Sequence, residues 1–133
     1  MKAQDLMIGD WVLCDGQPTP SNVVIQTVAQ DGIWFEGDEF EGAASFDHIF
    51  PIPLTPEILE KNGFEDVGSE VYECDVLPFY IWWERDRHRL GIDIEDSTYD
   101  KENFAQMLRV PVSYVHDLQH ALRLCGIEKE IVL

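Results

Sequence analysis

Two histidines four residues apart open the chemical reading. His116-Asp117-Leu118-Gln119-His120 has the i, i+4 spacing that sets two imidazoles on one helix face, as in the zinc-protease motif H-E-x-x-H. The match stops at the carboxylate, because Asp117 is one methylene shorter than the glutamate that serves there as general base. At 100° per residue, Tyr114, Val115, Leu118, Ala121, Leu122 and Cys125 share one stripe, which leaves His116 and His120 opposite it, flanking Arg123. The expectation is a pair of solvated helix-face histidines. A zinc site is the alternative, with Cys125 or a distant acid as its third ligand.

Other chemistry finds less support. Asp93, Glu95, Asp96, Asp100 and Glu102 form an acidic run, but a calcium loop counted from Asp93 would need Gly at its sixth and Glu at its twelfth position, where Thr98 and Phe104 stand. A solvated loop is expected, with an adventitious cation site the alternative. The phosphate-cradling, dinucleotide-binding and nucleophile-elbow patterns do not occur. Cys14, Cys74 and Cys125 are odd in number, far apart and without a C-x-x-C pair, which reads as reduced, mostly buried thiols. No catalytic residue, cofactor or metal is expected, and the chain reads as a non-enzyme.

A recognition surface is the stronger candidate. Phe79, Ile81 and Trp83 alternate with Tyr80, Trp82 and Glu84, and after the loop 85–88, Leu90, Ile92 and Ile94 alternate with Arg89, Gly91, Asp93 and Glu95. This period of two predicts a hairpin within 70–96. If the first set of each arm packs inward, Tyr80 and Trp82 face outward, across from Arg89 and Gly91. Together with Arg85, Arg87 and Arg89 they would form an aromatic and guanidinium surface able to hold a peptide, a base or a partner protein. The competing reading is a second buried face, with the arginines neutralising nearby acids.

The elements that must position these residues fall into two groups. Residues 11–14, 22–29 and 33–36 read as strands, with Asp31-Gly32 as a hairpin turn, 15–20 and 37–42 as loops, and 43–49 as a further strand. Such a run predicts a small β-barrel of the Src-homology-3-like or Tudor-like kind over 1–50. A proline-rich connector at 51–54 leads to a helix capped by Thr55, begun by Pro56 and ended by Gly63. Beyond the hairpin lie a polar loop at 96–103, a strand within 104–112 ending at Pro111, and a helix over 114–125 capped by Ser113 with Gly126 past its end. The fold class expected is α+β: one domain over 1–133, with a barrel subdomain at 1–50 and an α+β part at 51–133.

Composition sets the partner class. Twenty-six acids against nine Lys plus Arg give a formal net charge of −17 in 133 residues, a field that repels nucleic-acid phosphates and anionic membranes and favours cationic partners. Four Trp, four Tyr and seven Phe argue for a packed globule rather than an acidic disordered segment. The first eleven residues carry no apolar run of the signal-peptide type, and no stretch of 18 apolar residues occurs, so a cytoplasmic location without membrane association is expected.

Three stretches carry a family likeness: Leu6-Met7-Ile8-Gly9-Asp10-Trp11-Val12 with Asp31-Gly32-Ile33; Pro51-Ile52-Pro53-Leu54-Thr55-Pro56-Glu57-Ile58-Leu59-Glu60-Lys61-Asn62-Gly63-Phe64; and Tyr114-Val115-His116-Asp117-Leu118-Gln119-His120-Ala121-Leu122. In these the chain resembles a family of small, uncharacterised proteins of gut Bacteroidetes genomes, many carried on prophages or other mobile elements. Members commonly read Y-V-H-x-L-Q-N, so His120 stands where that family has Asn. The resemblance implies no activity, cofactor or catalytic residue. It implies an intracellular protein with a mobile-element role.

The leading expectation is a non-enzymatic protein-interaction module of unidentified partner and oligomeric state. The alternatives are an acidic DNA mimic that inhibits a nucleic-acid-binding protein, and a small metal-dependent hydrolase built on His116 and His120. Direct nucleic-acid binding through Arg85, Arg87 and Arg89 is opposed by the net field.

Overall fold

Short strands whose burial largely alternates from residue to residue build the first sheet: β1 (Trp11–Cys14), β2 (Ser21–Val28), β3 (Gly32–Glu36), β4 (Glu41–Ser45) and β5 (Ile49–Phe50). The structure, a computed structural model, describes residues 1–15, 20–37, 41–95 and 104–133. The loops expected at 15–20, 37–42 and 96–103 therefore lie largely outside the described residues, as do Asp96, Asp100 and Glu102 of the acidic run. The chain divides into two compact units, Met1–Pro53 with Tyr114–His116, and Leu54–Ser113 with Asp117–Leu133.

In the first unit all pairings are antiparallel and the strand order is β4-β3-β2-β1-β5. A meander of four strands is followed by a single 3-10 turn, Phe46–His48, which returns the chain so that β5 pairs with β1. The sheet curls, and β2 helps it to, because the register shifts between Ile25 and Thr27 and an extra residue bends a strand. Leu6, Val12, Cys14, Val23, Ile25, Ile33, Phe35 and Ile49 fill its concave core, with Met1, Val28, Ala44 and Phe46 packed against them. Asp10 is fully buried. Its carboxylate accepts from the Met7 N–H at 2.8 Å and its carbonyl accepts from the Ile25 N–H at 3.0 Å, which fixes the entry into β1.

The second unit opens with α1 (Pro56–Lys61). Thr55 Oγ1 accepts from the Ile58 N–H at 3.3 Å and Pro56 occupies the first turn, as the sequence indicates. Gly63, at φ +86°, ends the helix: its N–H reaches the Glu60 carbonyl and the Phe64 N–H reaches the Leu59 carbonyl, the paired bonds of a left-handed C-terminal cap. The apolar contact that accompanies such a cap is supplied by Leu59 and Phe64, both buried. Asn62, also buried, donates from Nδ2 to the Val132 carbonyl at 2.7 Å and accepts from the Val132 N–H at 2.8 Å, tying the C-terminal tail to the helix end.

What the sequence presents as a hairpin and a separate later strand belongs to one five-stranded antiparallel sheet, order β10-β9-β8-β7-β6, formed by β6 (Glu65–Asp66), β7 (Val71–Val76), β8 (Phe79–Glu84), β9 (Arg89–Glu95) and β10 (Phe104–Pro111). The expected alternation of β8 and β9 and the end of β10 at Pro111 are observed. The strand β7 escapes notice because only Tyr72 and Cys74 of its six residues are buried. Tyr72, Trp83 and Leu90 lie in one row across the sheet and Cys74, Ile81 and Ile92 in the next, giving one buried face. Trp83 Nε1 donates to the Val112 carbonyl at 2.9 Å, so this large ring is satisfied as well as buried. The last helix, α2 (Val115–Leu124), buries Leu118, Ala121 and Leu122, and Gly126 follows it at φ +72°.

The architecture is thus α+β and mostly antiparallel sheet. Among the described residues no helix is long and apolar enough to cross a membrane.

Candidate functional site

The histidine pair is not arranged as the helical wheel requires. His116 is only 6% exposed, and its ring stacks on Tyr114 with centroids 5.9 Å apart and planes 13° from parallel. His120 is half-buried, and Tyr114, placed on the core stripe by the wheel, is exposed. The single-stripe assumption fails because Val115, His116, Leu118, Gln119, Ala121 and Leu122 are all buried, an arc well over half the helix circumference. The expectation of solvated imidazoles is therefore wrong for His116. Asp117 has a structural task, accepting from the Ser113 N–H at 3.4 Å, while the Ser113 hydroxyl lies 3.0 Å from His88 Nδ1. Among the described residues no group of three or more His, Cys, Asp or Glu is placed to hold a metal ion.

The three cysteines are free thiols: Cys14 and Cys74 are buried and Cys125 is half-buried. Burial pushes the Cys74 thiol above the usual 9.0, with Lys129 lowering it and Asp75 and Glu65 raising it further; burial also raises Cys125. A thiol kept protonated is a poor nucleophile.

The aromatic face is built from four strands rather than two. Across the outer face of the second sheet one row reads Glu73, Trp82, Gly91, Arg109 and the next reads Asp75, Tyr80, Asp93, Gln106. Gly91 is what lets the Trp82 ring lie down on the sheet, since a Cβ there would stand 2.0 Å from the ring. Arg109 then covers the ring, with its guanidinium carbon 4.8 Å from the centroid. Its nitrogens are held by Asp93 at 2.7 Å and by the carbonyls of Leu108 at 2.8 Å and Ile92 at 3.3 Å. Side-chain exposures of 20% for Arg109 and 21% for Asp93 mark a largely desolvated pair, stronger than an ordinary surface contact.

Tyr80 and Trp82 are half-buried, Trp82 lies opposite Gly91 as expected, and Arg89 lies opposite Glu84 rather than Tyr80, whose partner is Asp93. Burial first, then Glu95 and Asp75, raises the Tyr80 phenol above its usual 10.0. Arg85 sits 3.6 Å from Glu70 and Arg87 3.8 Å from Glu84. The structure thus gathers Tyr80 and Trp82 on one face and sets Arg85, Arg87 and Arg89 at its hairpin end. Arg109, unmarked in the sequence, completes that face.

The first unit carries a different kind of surface. Trp34 on β3 is 58% exposed and faces Ala43 on β4. It helps line a concavity of about 330 Å³ with Ala29, Asp31, Ile33, Ala44 and Ser45. On the same sheet face, two residues along β3, Glu36 stands directly opposite Glu41, and among the described residues neither forms an ion pair with a lysine or arginine. Glu36 accepts from Gln26 Nε2 at 3.0 Å. The signal for this surface is present in the sequence as Trp34 and Glu36 at alternate positions, but the facing strand, Glu41-Gly42-Ala43-Ala44-Ser45, gives no hint of a site.

Comparison of the chain with protein families, with curated proteins and with solved structures finds no match.

Proposed function

We propose that this chain is a non-enzymatic intracellular protein-interaction module with a taste for cationic partners, and that its first unit is a small barrel of the Src-homology-3-like kind. The strand order β4-β3-β2-β1-β5, with a 3-10 turn leading into β5, supports the barrel reading. The motifs at 51–64 and 114–122 support placing the chain with the mobile-element-borne proteins they resemble.

The observation that carries the functional reading is an imbalance of charge beside an open aromatic. Residues 1–53 hold nine acids and one basic side chain of the Lys/Arg type, Lys2, and on this unit Trp34 stands mostly in solvent. Such a surface gains from a cationic protein both in encounter rate and in burial of the ring. Tagged protein used to capture partners from native lysate at low and high salt tests this. A discrete basic protein retained at low salt, released at high salt and then bound again as a purified pair is expected. Background proteins alone under both conditions would refute it.

A further inference from the structure

Among the described strands, four edges close the two sheets, and three of them are blunted. β5 and β6 are two residues long, and β5 is followed by Pro51 and Pro53. β10 is broken by a register shift between Gln106 and Leu108 and ends at Pro111. Short strands, prolines and bulges are the usual devices that keep an edge from pairing with another chain. β4 has none of them. It runs five residues as Glu-Gly-Ala-Ala-Ser in unbroken register with β3, and among the described strands only β3 pairs with it. Alternate residues of such an edge aim their N–H and C=O groups away from the sheet. Its small side chains leave room for a neighbour at the usual strand spacing of about 4.8 Å.

We propose that β4 is a docking edge for an extended segment of a partner protein that carries Lys or Arg at alternate positions. This rests on the reading of the chain as an interaction module and names the chemistry of its partner. Alternate side chains of an added strand lie about 7 Å apart on one face. One such cation would reach the face of Trp34 and the next the carboxylates of Glu36 and Glu41, which repel one another as a directly opposed like-charged pair. Trp34 would be buried by its stem and head, as Trp82 is by Arg109. A second copy of this chain is disfavoured as the occupant, because each copy carries −17 and residues 1–53 offer a single lysine.

The test uses the full chain and synthetic peptides, followed by amide and indole NMR shifts. An alternating Lys-Val peptide is expected to move the β4 amides and the Trp34 indole saturably. An alternating Glu-Val peptide, and the Lys-Val peptide N-methylated at every amide so that neither edge can donate, are expected not to. Trp34→Ser or Glu41→Lys should weaken binding by about tenfold, as loss of a central aromatic or charge contact does. The matched charge change Glu57→Lys on α1 should change it by less than about twofold, as for a distant screened charge. Shifts spread over acids of both units, with all three variants weakened alike, would overturn the proposal. So would a dimer that Trp34→Ser dissolves. A partner captured from lysate that binds Trp34→Ser and Glu41→Lys as tightly as wild type would remove β4 as the site while leaving the interaction reading intact.

Discussion

Trp34 and Trp82 occupy matching positions in the two units. Each lies on an inner strand of an antiparallel five-stranded sheet, points to the outer face, and meets a small residue on the next strand, Ala43 or Gly91. Their fates differ. Trp82 is covered by a guanidinium that is itself held by Asp93 and two carbonyls, whereas Trp34 stays in solvent. The difference is one of supply. Beyond β9 the second sheet has a further long strand, β10, to provide Arg109, while among the described residues the first sheet has no strand beyond β4, β4 has no side chain larger than Glu, and residues 1–53 hold one lysine. An outer-face aromatic becomes part of the fold when a neighbouring strand brings a long cation to it. Otherwise its burial, worth roughly 1.5–3 kcal/mol for a large side chain, is left for a partner to realise.

The two sheets can be broken at matching glycines, and the costs should differ. A Cβ at Gly32 would stand 2.1 Å from the Ala44 carbonyl oxygen, which is backbone of the paired strand and cannot move without parting β3 from β4. A Cβ at Gly91 would meet the Trp82 ring at 2.0 Å, and a side chain can swing away. Gly32→Ala should therefore destabilise by about 3 kcal/mol or more, at the severe end for a single substitution, and Gly91→Ala by about 1–3 kcal/mol. Urea unfolding gives both values. Gly91→Ala should also release Trp82 towards solvent with a red shift in its emission. The reverse ranking would show that the Arg109 clamp holds Trp82 as rigidly as backbone.

A gentler cut separates a ring in use within the fold from one kept open. Arg109→Met keeps much of the stem but leaves Asp93 mostly buried without its cation, at a cost of about 1–3 kcal/mol. Adding Asp93→Asn should recover part of that loss, because the stranded charge is then gone. Trp34→Ser, at an exposed site, should change stability by no more than about 0.5 kcal/mol. A Trp34→Ser loss as large as that of Arg109→Met would mean Trp34 serves folding and not recognition.

How far this contrast could be read from the sequence depends on the range of each interaction. Local rules carried the strands of both hairpins, the Thr55 cap and the Gly63 end of α1, since a few neighbouring residues decide them. The outer-face position of Trp82 was legible from alternation, but its cover was not. Arg109 reaches that face only because of the register shift in β10: Gln106 pairs with Asp93, yet Leu108 pairs with Ile92, and Arg109 falls opposite Gly91. Continued without the shift, the same ladder would set Arg109 opposite Leu90, on the buried side. Nothing in the string Gln106-Met107-Leu108 announces that bulge. The burial of His116 was hidden for a related reason, because a helical wheel assumes one buried stripe and α2 has a far wider buried arc.

Alkaline pH should probe the second unit through groups it holds protonated. Burial raises Tyr72 and Tyr80 above 10.0 and Cys74 above 9.0, with Asp66 adding to the first, Glu95 and Asp75 to the second, and Asp75 and Glu65 to the third. These are acids whose folded pKa lies above the unfolded one. Below 9.0 both states keep the protons and the full stability is present. As pH climbs past 9.0 and then 10.0 the unfolded chain releases protons that the folded chain retains, so stability falls with rising pH. The fall should begin with Cys74 and Cys125 and steepen with the tyrosines. Tyr80→Phe keeps the ring and removes the proton, so it should flatten the decline above pH 10.0 in urea midpoints, whereas Trp34→Ser should leave the profile unchanged. A Tyr80→Phe profile that overlays wild type would show that the phenolate finds water in the native state, and that the Tyr80–Trp82 face opens more readily than the Arg109 clamp implies.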